Sequence, residues 1–308
     1  MDKLIEELSS NLDLKKFHLN KFSPKIFICG GKIGDNNRTR YLSIRDYIYK
    51  KIKKENNCLF SRLILAEDIN KWFFGDNHYE NLLDLEEDLA GLVVGIPIFV
   101  ESPGSLAELG AFSMIPEIEK KLVVFISEKY FGKESFICLG PLKKIEDIER
   151  IRIYNFKQNN KNYYIEYDFK EIEANILKDV EDYSVNKPFK RKFNQENTAH
   201  LTFLICNIIF ITRLVKRKEI ILMLSKLSIE IRYKELNKIL WVAEKMQMIK
   251  HTYYGDTYFY TPLNIDSEYI SFGSKINTAD WHDKFYKYIN LNYCRKNAFN
   301  RIKGAGND

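Results

Sequence analysis

The residues best equipped for chemistry lie between 92 and 113, LVVGIPIFVESPGSLAELGAFS. Two carboxylates, Glu101 and Glu108, flank a turn at Pro103-Gly104, with Ser102 and Ser105 beside it. Leu92 to Val100 before the turn is a continuous apolar run, the pattern of a strand buried on both faces of a parallel sheet. After the turn, Leu106, Leu109, Ala111 and Phe112 recur at helical spacing. A strand, a glycine turn and a helix start place ligands at the carboxyl edge of an open α/β sheet. The helix's first amides and the positive end of its dipole favour an anionic group such as phosphate. The same spacing has a second meaning. Ser105-Leu-Ala-Glu108 fits a capping box, with Ser105 at N-cap and Glu108 only a helix starter at N3. Spacing alone leaves both readings open.

The elements that must position these groups can be read on either side. Lys25 to Cys29 forms a first strand ending in Gly30-Gly31, where the backbone can turn or approach a ligand closely. Gly34 falls too early for a GxGxxG fingerprint, which argues against a hydride-transferring dinucleotide fold. Asn36 to Ile52 is a basic helix carrying Arg40, whose fork could grip phosphate or ribose oxygens. Leu59 to Ala66 is a second strand, with Glu67-Asp68 at its end, and Trp72, Phe73 and Phe74 follow as core or lid. Asn81 to Leu89 is a helix, and Lys121 to Ser127 another buried strand. Ile151–Phe156 and Tyr163–Phe169 read as a late strand pair, and Lys170 to Asp182 as a closing helix. Strands interleaved with helices in this way predict a Rossmann-like parallel sheet over residues 1–184.

Glu-Ser-Pro-Gly-Ser-x-Ala-Glu-Leu-Gly-Ala-Phe at 101–112 and Phe27-Ile-Cys-Gly-Gly31 together resemble the nucleoside 2-deoxyribosyltransferase-like family. Within it they are most similar to the effector proteins of retrons, bacterial anti-phage systems built on a reverse transcriptase. Leu65-Ala-Glu-Asp68 and Leu82-Leu-Asp-Leu-Glu86 extend the resemblance, which covers roughly residues 25 to 145. It implies that Glu108 is the catalytic carboxylate at the anomeric carbon. It further implies that Gly30, Gly31, Ser102, Gly104 and Ser105 meet ribose and phosphate, that Arg40 sits where the family has its arginine, and that Asp68, Glu86 and Glu101 orient sugar hydroxyls or the base. The implied activity is N-glycosidic cleavage of NAD, as substrate and with no cofactor. The implied partners are the retron reverse transcriptase and its branched msDNA–msrRNA product, which hold the enzyme inactive. One departure bears on specificity: deoxyribosyltransferases have Asp six residues before the catalytic Glu, where this chain has Ser102. That favours hydrolysis of another nucleotide over base exchange.

Composition places the chain among globular proteins, with 45% hydrophobic and 29% charged residues. Cys29, Cys58, Cys138, Cys206 and Cys294 form no CxxC pair, and no His/Cys/Asp/Glu set has metal-ligand spacing, so reduced thiols and no metal are expected. The charged, amphipathic start is not a secretory signal, and Leu201 to Val215 is too short for a bilayer span, which points to the cytoplasm. Residues 2–17 read as an amphipathic helix for packing or self-association.

Charge divides the chain. Residues 1–184 hold 27 Lys/Arg against 31 Asp/Glu, and residues 185–308 hold 21 against 11. Ser184 to Asn197 is the expected linker to a basic second domain, residues 185–308, facing an acidic partner. There, helices over 199–215, 218–227, 231–238 and 240–248 precede a hairpin about Gly255-Asp256, a winged-helix layout. Lys234, Lys238, Lys245, Lys250 and Tyr254 are its candidate contacts to phosphates and stacked bases, and the Trp281–Lys303 tail extends that face. Two other readings remain: a nucleotide-sensing DNA-binding regulator without turnover, and a base-exchange enzyme of nucleotide salvage.

Overall fold

A computed structural model describes residues 1–20, 25–34, 41–75, 78–132, 134–145, 148–154, 173–185, 191–263, 268–273 and 276–304. The chain divides into two compact units, Ser23–Lys187 and Met1–Phe22 with Pro188–Asp308.

The first unit is an α/β sheet of five described strands, all parallel: β1 (Lys25–Ile28), β2 (Leu63–Leu65), β3 (Val93–Val100), β4 (Leu122–Ser127) and β5 (Ile151–Tyr154). Their order, β2-β1-β3-β4-β5, is the doubly wound arrangement that reverses direction between β1 and β3. β3 and β4 are buried along nearly their whole length, as a sheet covered on both faces requires. Phe99 and Phe125 stack across them at 4.6 Å between ring centroids.

The helices that matter for the cleft are α1 (Ile44–Glu55), α2 (Ala66–Gly75), α3 (Leu82–Leu92) and α4 (Pro103–Phe112). Ser43 caps α1 and Asn81 caps α3, each accepting a first-turn amide. At the far end of α3, Lys121 Nζ donates to the Ala90 and Gly91 carbonyls at 2.6 and 2.9 Å, satisfying acceptors the helix cannot. α5 (Glu173–Val185) packs on α1, where Lys51 pairs with Glu173 at 2.8 Å.

Several expectations are corrected. Leu59 to Ala66 is strand only over Leu63–Leu65, and Glu67 and Asp68 open α2 instead of ending a strand. Ile69 is the buried residue of α2, while Phe74 is 83% exposed, so the aromatic triplet is not core. Tyr163–Phe169 and residues 36–40, Arg40 among them, lie outside the described residues, and of the helix expected over Asn36 to Ile52 the described part begins at Ile44.

The second unit includes the N-terminal helix Asp2–Ser10, which the sequence assigns to the first domain. Amphipathic spacing shows that Ile5 and Leu8 must be covered but not by what. Here they pack on α7 (Arg217–Lys226), with Glu6–Lys226 at 2.9 Å beside them. Strand His18–Leu19 lies between β6 (Arg191–Lys192) and β10 (Ile270–Ser271), antiparallel to both. The core helix α6 (Thr198–Thr212) is buried almost all round. β7 (Val215–Lys216), α7, α8 (Tyr233–Lys245), β8 (Ile249–Tyr254) and β9 (Thr257–Pro262) follow. β9 pairs antiparallel with both β7 and β8. The β8–β9 turn is Gly255-Asp256 with φ +55° and +60°, the left-handed pair a two-residue hairpin needs. The expected break near 238–240 does not exist, since α8 is one helix burying Leu236, Ile239, Leu240 and Ala243. The tail forms α9 (Thr278–Leu291) and α10 (Tyr293–Gly304).

Candidate functional site

The carboxyl ends of β1 and β3 meet at the sheet's reversal point, the place where open α/β sheets bind ligands. Glu108, in the second turn of α4, lies close enough to Cys29 at the end of β1 for its charge to act there. The capping box there is Ser102 with Ser105, not Ser105 with Glu108: Ser102 Oγ accepts the Ser105 amide at 3.2 Å. Pro103 supplies the N1 residue, which shifts the helix start three residues earlier than the spacing suggests. Glu108 is therefore released from capping. Its Oε2 is buried with no hydrogen-bond partner among the described residues. A buried carboxylate oxygen left without a partner is costly in a structure that does not use it.

Glu108 does not stand alone. Glu86, on the buried face of α3, is pushed up to about 7 by burial and then by the charge of Glu108. Burial also raises Glu108, opposed by the Arg45 guanidinium and reinforced by Glu67. Cys29, at the end of β1, is raised by burial and by Glu108 and Glu86. One electrostatic neighbourhood thus joins Cys29, Arg45, Glu67, Glu86 and Glu108. A carboxyl half-protonated near neutrality beside a second carboxylate is the arrangement that supports acid–base work.

Arg45 is the residue that sequence reasoning missed. It is 2% exposed, and its Nε donates to the Gly31 carbonyl at 2.7 Å. Its Nη1 donates to Glu67 at 3.0 Å, and Nη2 completes a two-pronged grip on the same carboxylate. Arg45 lies in the first turn of a Lys-rich helix, and only its burial distinguishes it from solvated neighbours. Arg40, the arginine named from sequence, is not among the described residues.

The remaining acidic and glycine candidates have defined roles in building the cleft. Glu101 accepts the amides of Gly31 at 3.0 Å, Ile44 at 2.7 Å and Arg45 at 3.2 Å, so it ties β3 to the loop after β1 and to the start of α1. Burial raises this carboxylate and those three amides pull it back. Its oxygens face backbone, which corrects the expected role of orienting a sugar. Ser102 and Ser105 likewise spend their hydroxyls on each other and on local backbone, with Ser105 Oγ accepting the Glu101 and Ser102 amides. Gly30 has φ +153°, and a Cβ there would lie 3.0 Å from Cβ of Arg45 and of Phe99. A Cβ on Gly31 would lie 2.6 Å from Ser43 Cβ. Gly104 has nothing closer than Ser102 Oγ at 3.9 Å. Asp68 faces outward enough to pair with Lys71 at 3.6 Å, while Glu67 is the member of the pair drawn to Arg45.

Residues 41–251 match the family model of the STM3845 retron effector protein, which reaches from α1 through the start of the β8–β9 hairpin. The chain belongs to this retron effector family. It is also 36% identical over 123 residues to an Escherichia coli protein of retron Ec73, named as a candidate ribosyltransferase/DNA-binding protein. A protein of retron Ec86 from the same organism, with the same designation, is 30% identical over 143 residues. The matched stretches cover 39% and 46% of this chain and 37% and 44% of those relatives, under half of each.

In this retron effector the basic candidates of the second unit separate. Lys234 is exposed and Lys238 half-buried on α8, and Lys245 lies over the Trp241 ring at 5.3 Å. Lys250 instead donates to the Ile302 carbonyl at 3.2 Å, and Tyr254 accepts from Asn297 at 3.1 Å. Both are engaged by α10, which packs on β8, so the tail covers part of the hairpin rather than extending an open face. Arg295 of that tail is buried against Glu219 and the Leu214 carbonyl. On the hairpin, Tyr253 and Tyr258 remain exposed, 5.1 Å apart, with Arg217 over Tyr258 at 4.9 Å. None of the helices described is long and apolar enough to cross a membrane, and no His/Cys/Asp/Glu group among the described residues could hold a metal.

Proposed function

We propose that the sheet unit cleaves the N-glycosidic bond of NAD or a related nucleotide, with Glu108 facing the sugar's anomeric carbon. The observation that carries this reading is the unpartnered, buried Oε2 of Glu108 at the sheet's reversal point. As the C1′–N bond breaks, its electron pair leaves with the nicotinamide nitrogen and positive charge grows on the sugar. A close carboxylate stabilises or captures that oxocarbenium-like centre. Water then bonds to C1′ and gives up a proton. Glu86, held near neutrality, is the group that accepts and returns it. The relatives' designation as ribosyltransferases supports chemistry at a ribosyl carbon.

The second unit reads as a winged helix. Its order, α6-β7-α7-α8-β8-β9, supports a reading in which α8 would meet a duplex and the hairpin would be the wing. Lys234, Lys238, Tyr253 and Tyr258 would meet phosphates and bases. The nucleoprotein of the retron, its reverse transcriptase with msDNA, is the partner that this surface fits and that holds the enzyme inactive.

The test is chromatography of NAD, NMP and deoxynucleosides incubated with the wild type and with Glu108→Gln. Loss of nicotinamide release in the variant is expected, and unchanged release would remove Glu108 from this role. The relatives' names also include DNA binding, which suits a regulator without turnover. That reading predicts operator binding by the protein alone and no product from any nucleotide.

A further inference from the structure

The second unit contains a cavity of about 400 Å³ between the hairpin and the last two helices. We propose that it binds a small phosphorylated aromatic compound of the mononucleotide class, separately from the cleft of the sheet unit. Three observations converge on it. The first is His282, whose Nδ1 faces Arg213 Nη2 at 2.7 Å while its Nε2 is buried with no partner among the described residues. A guanidinium only donates, so Nδ1 accepts and the ring's proton sits on Nε2, a buried nitrogen with no partner at full hydrogen-bond geometry among the described residues. Burial and then Arg213 lower this histidine to about 4, against a backbone hydrogen bond at Phe210 and the charge of Asp283, which keeps the ring neutral at physiological pH.

The second observation is the backbone of Arg213. Its φ of +60°, at the C-cap of α6, is unusual for a residue with a side chain, and Arg213 is part of the cavity lining. Thr261 Oγ1 fixes this conformation by donating to the Arg213 carbonyl at 2.8 Å. Strained backbone persists where surrounding structure over-determines it, and it concentrates at ligand clamps.

The third is the lining. Arg213, Lys250 and the Nε2 of His282 offer two cations and a neutral donor, a set suited to phosphate oxygens. Tyr286 and Phe299, packed edge to face with ring centroids 6.1 Å apart, form an aromatic wall for a base, and Asp283 can accept from a ribose hydroxyl or ring amine. The volume sits at the lower end of the roughly 300–1,000 Å³ range of ligand sites. It has room for one nucleotide.

The experiment uses the full chain with 8-azido-AMP, photolysis and peptide mapping. Label is expected on peptides from Thr278–Leu291 or Tyr293–Gly304 and should be displaced by AMP. Arg213→Ala should cut it by about tenfold or more, the effect of losing a charge-assisted hydrogen bond. Leu263→Trp, at a half-exposed rim position, should fill the space and cut labelling without lowering the melting temperature. Glu108→Gln should leave labelling intact, which keeps this site's failure distinct from that of the cleft. Displacement by a 5′-phosphorylated oligonucleotide but not its 5′-hydroxyl twin would assign the phosphate to a strand end, and displacement by AMP alone to a free nucleotide. Label confined to 23–187, or persisting in both cavity variants, overturns the proposal.

Discussion

The Glu101 carboxylate accepts the Gly31 amide at 3.0 Å, so the loop after β1 hangs from the end of β3. The same side chain receives the amides of Ile44 and Arg45, which makes it an N-cap for α1 supplied from another strand. Glu101→Gln turns one of these acceptors into a donor facing N–H groups. The expected cost is roughly 2–3 kcal/mol of stability, read from urea midpoints. A loss below about 0.5 kcal/mol would mean that the clamp does not hold the cleft together.

Two glycines of the cleft should respond oppositely. Gly31→Ala must push Ser43 or the Glu101 side chain aside, and overpacking of this kind costs about 1–3 kcal/mol. Gly104→Ala meets open space and replaces a helical glycine, so it should be neutral or stabilising by about 0.5–1 kcal/mol. Thermal melts of the two variants side by side check this contrast.

Glu86 predicts a pH dependence. Its folded-state value, about 7, lies above the ordinary 4.5, so the folded protein holds this proton more tightly than the unfolded chain does. The resulting stabilisation is complete below pH 4.5 and is lost as pH rises through 7. Glu86→Gln removes the carboxyl, so its stability relative to wild type should improve between pH 4 and pH 8, by about 3 kcal/mol at most. Urea melts at both ends of that window measure it, and a constant difference would show that Glu86 is not buried beside a second charge.

Arg45 carries both a structural and an electrostatic load. Arg45→Met leaves the Gly31 carbonyl and the Glu67 carboxylate without their guanidinium, an expected loss of about 2–3 kcal/mol because Glu67 still reaches water. It also removes the charge that opposes burial at Glu108, so the acid limb of the turnover profile should move to higher pH. Arg45→Lys keeps the charge and loses the fork, so that limb should stay in place while stability falls. A pH profile unmoved in Arg45→Met would separate this arginine from Glu108.

The parts of the fold legible in the sequence are those set by local pattern. β3 is an uninterrupted apolar run, and the hairpin is announced by Gly255-Asp256 between alternating aromatics. Glu108 was accessible through its motif, but its freedom from capping was not. Ser102 and Ser105 compete for the same cap, and only Pro103 at N1 decides between them. Arg45 was illegible because only burial distinguishes it, and Glu67 because only its pairing with Arg45 does; both depend on partners 14 to 56 residues away in sequence. The N-terminal helix was misassigned for a related reason: an apolar stripe specifies that it is covered and not which element covers it.

Leu19 and Arg191 are paired across neighbouring strands, so the polypeptide leaves the second unit and re-enters it at one spot, with the whole sheet unit spliced between. Synthesis runs from N to C, and the inserted part has all its strands once Lys187 has been made. Its host cannot close until Ile270 arrives to flank His18–Leu19. Each newborn molecule therefore spends an interval with a complete sheet unit, Glu86 and Glu108 in place, and an unfinished second unit.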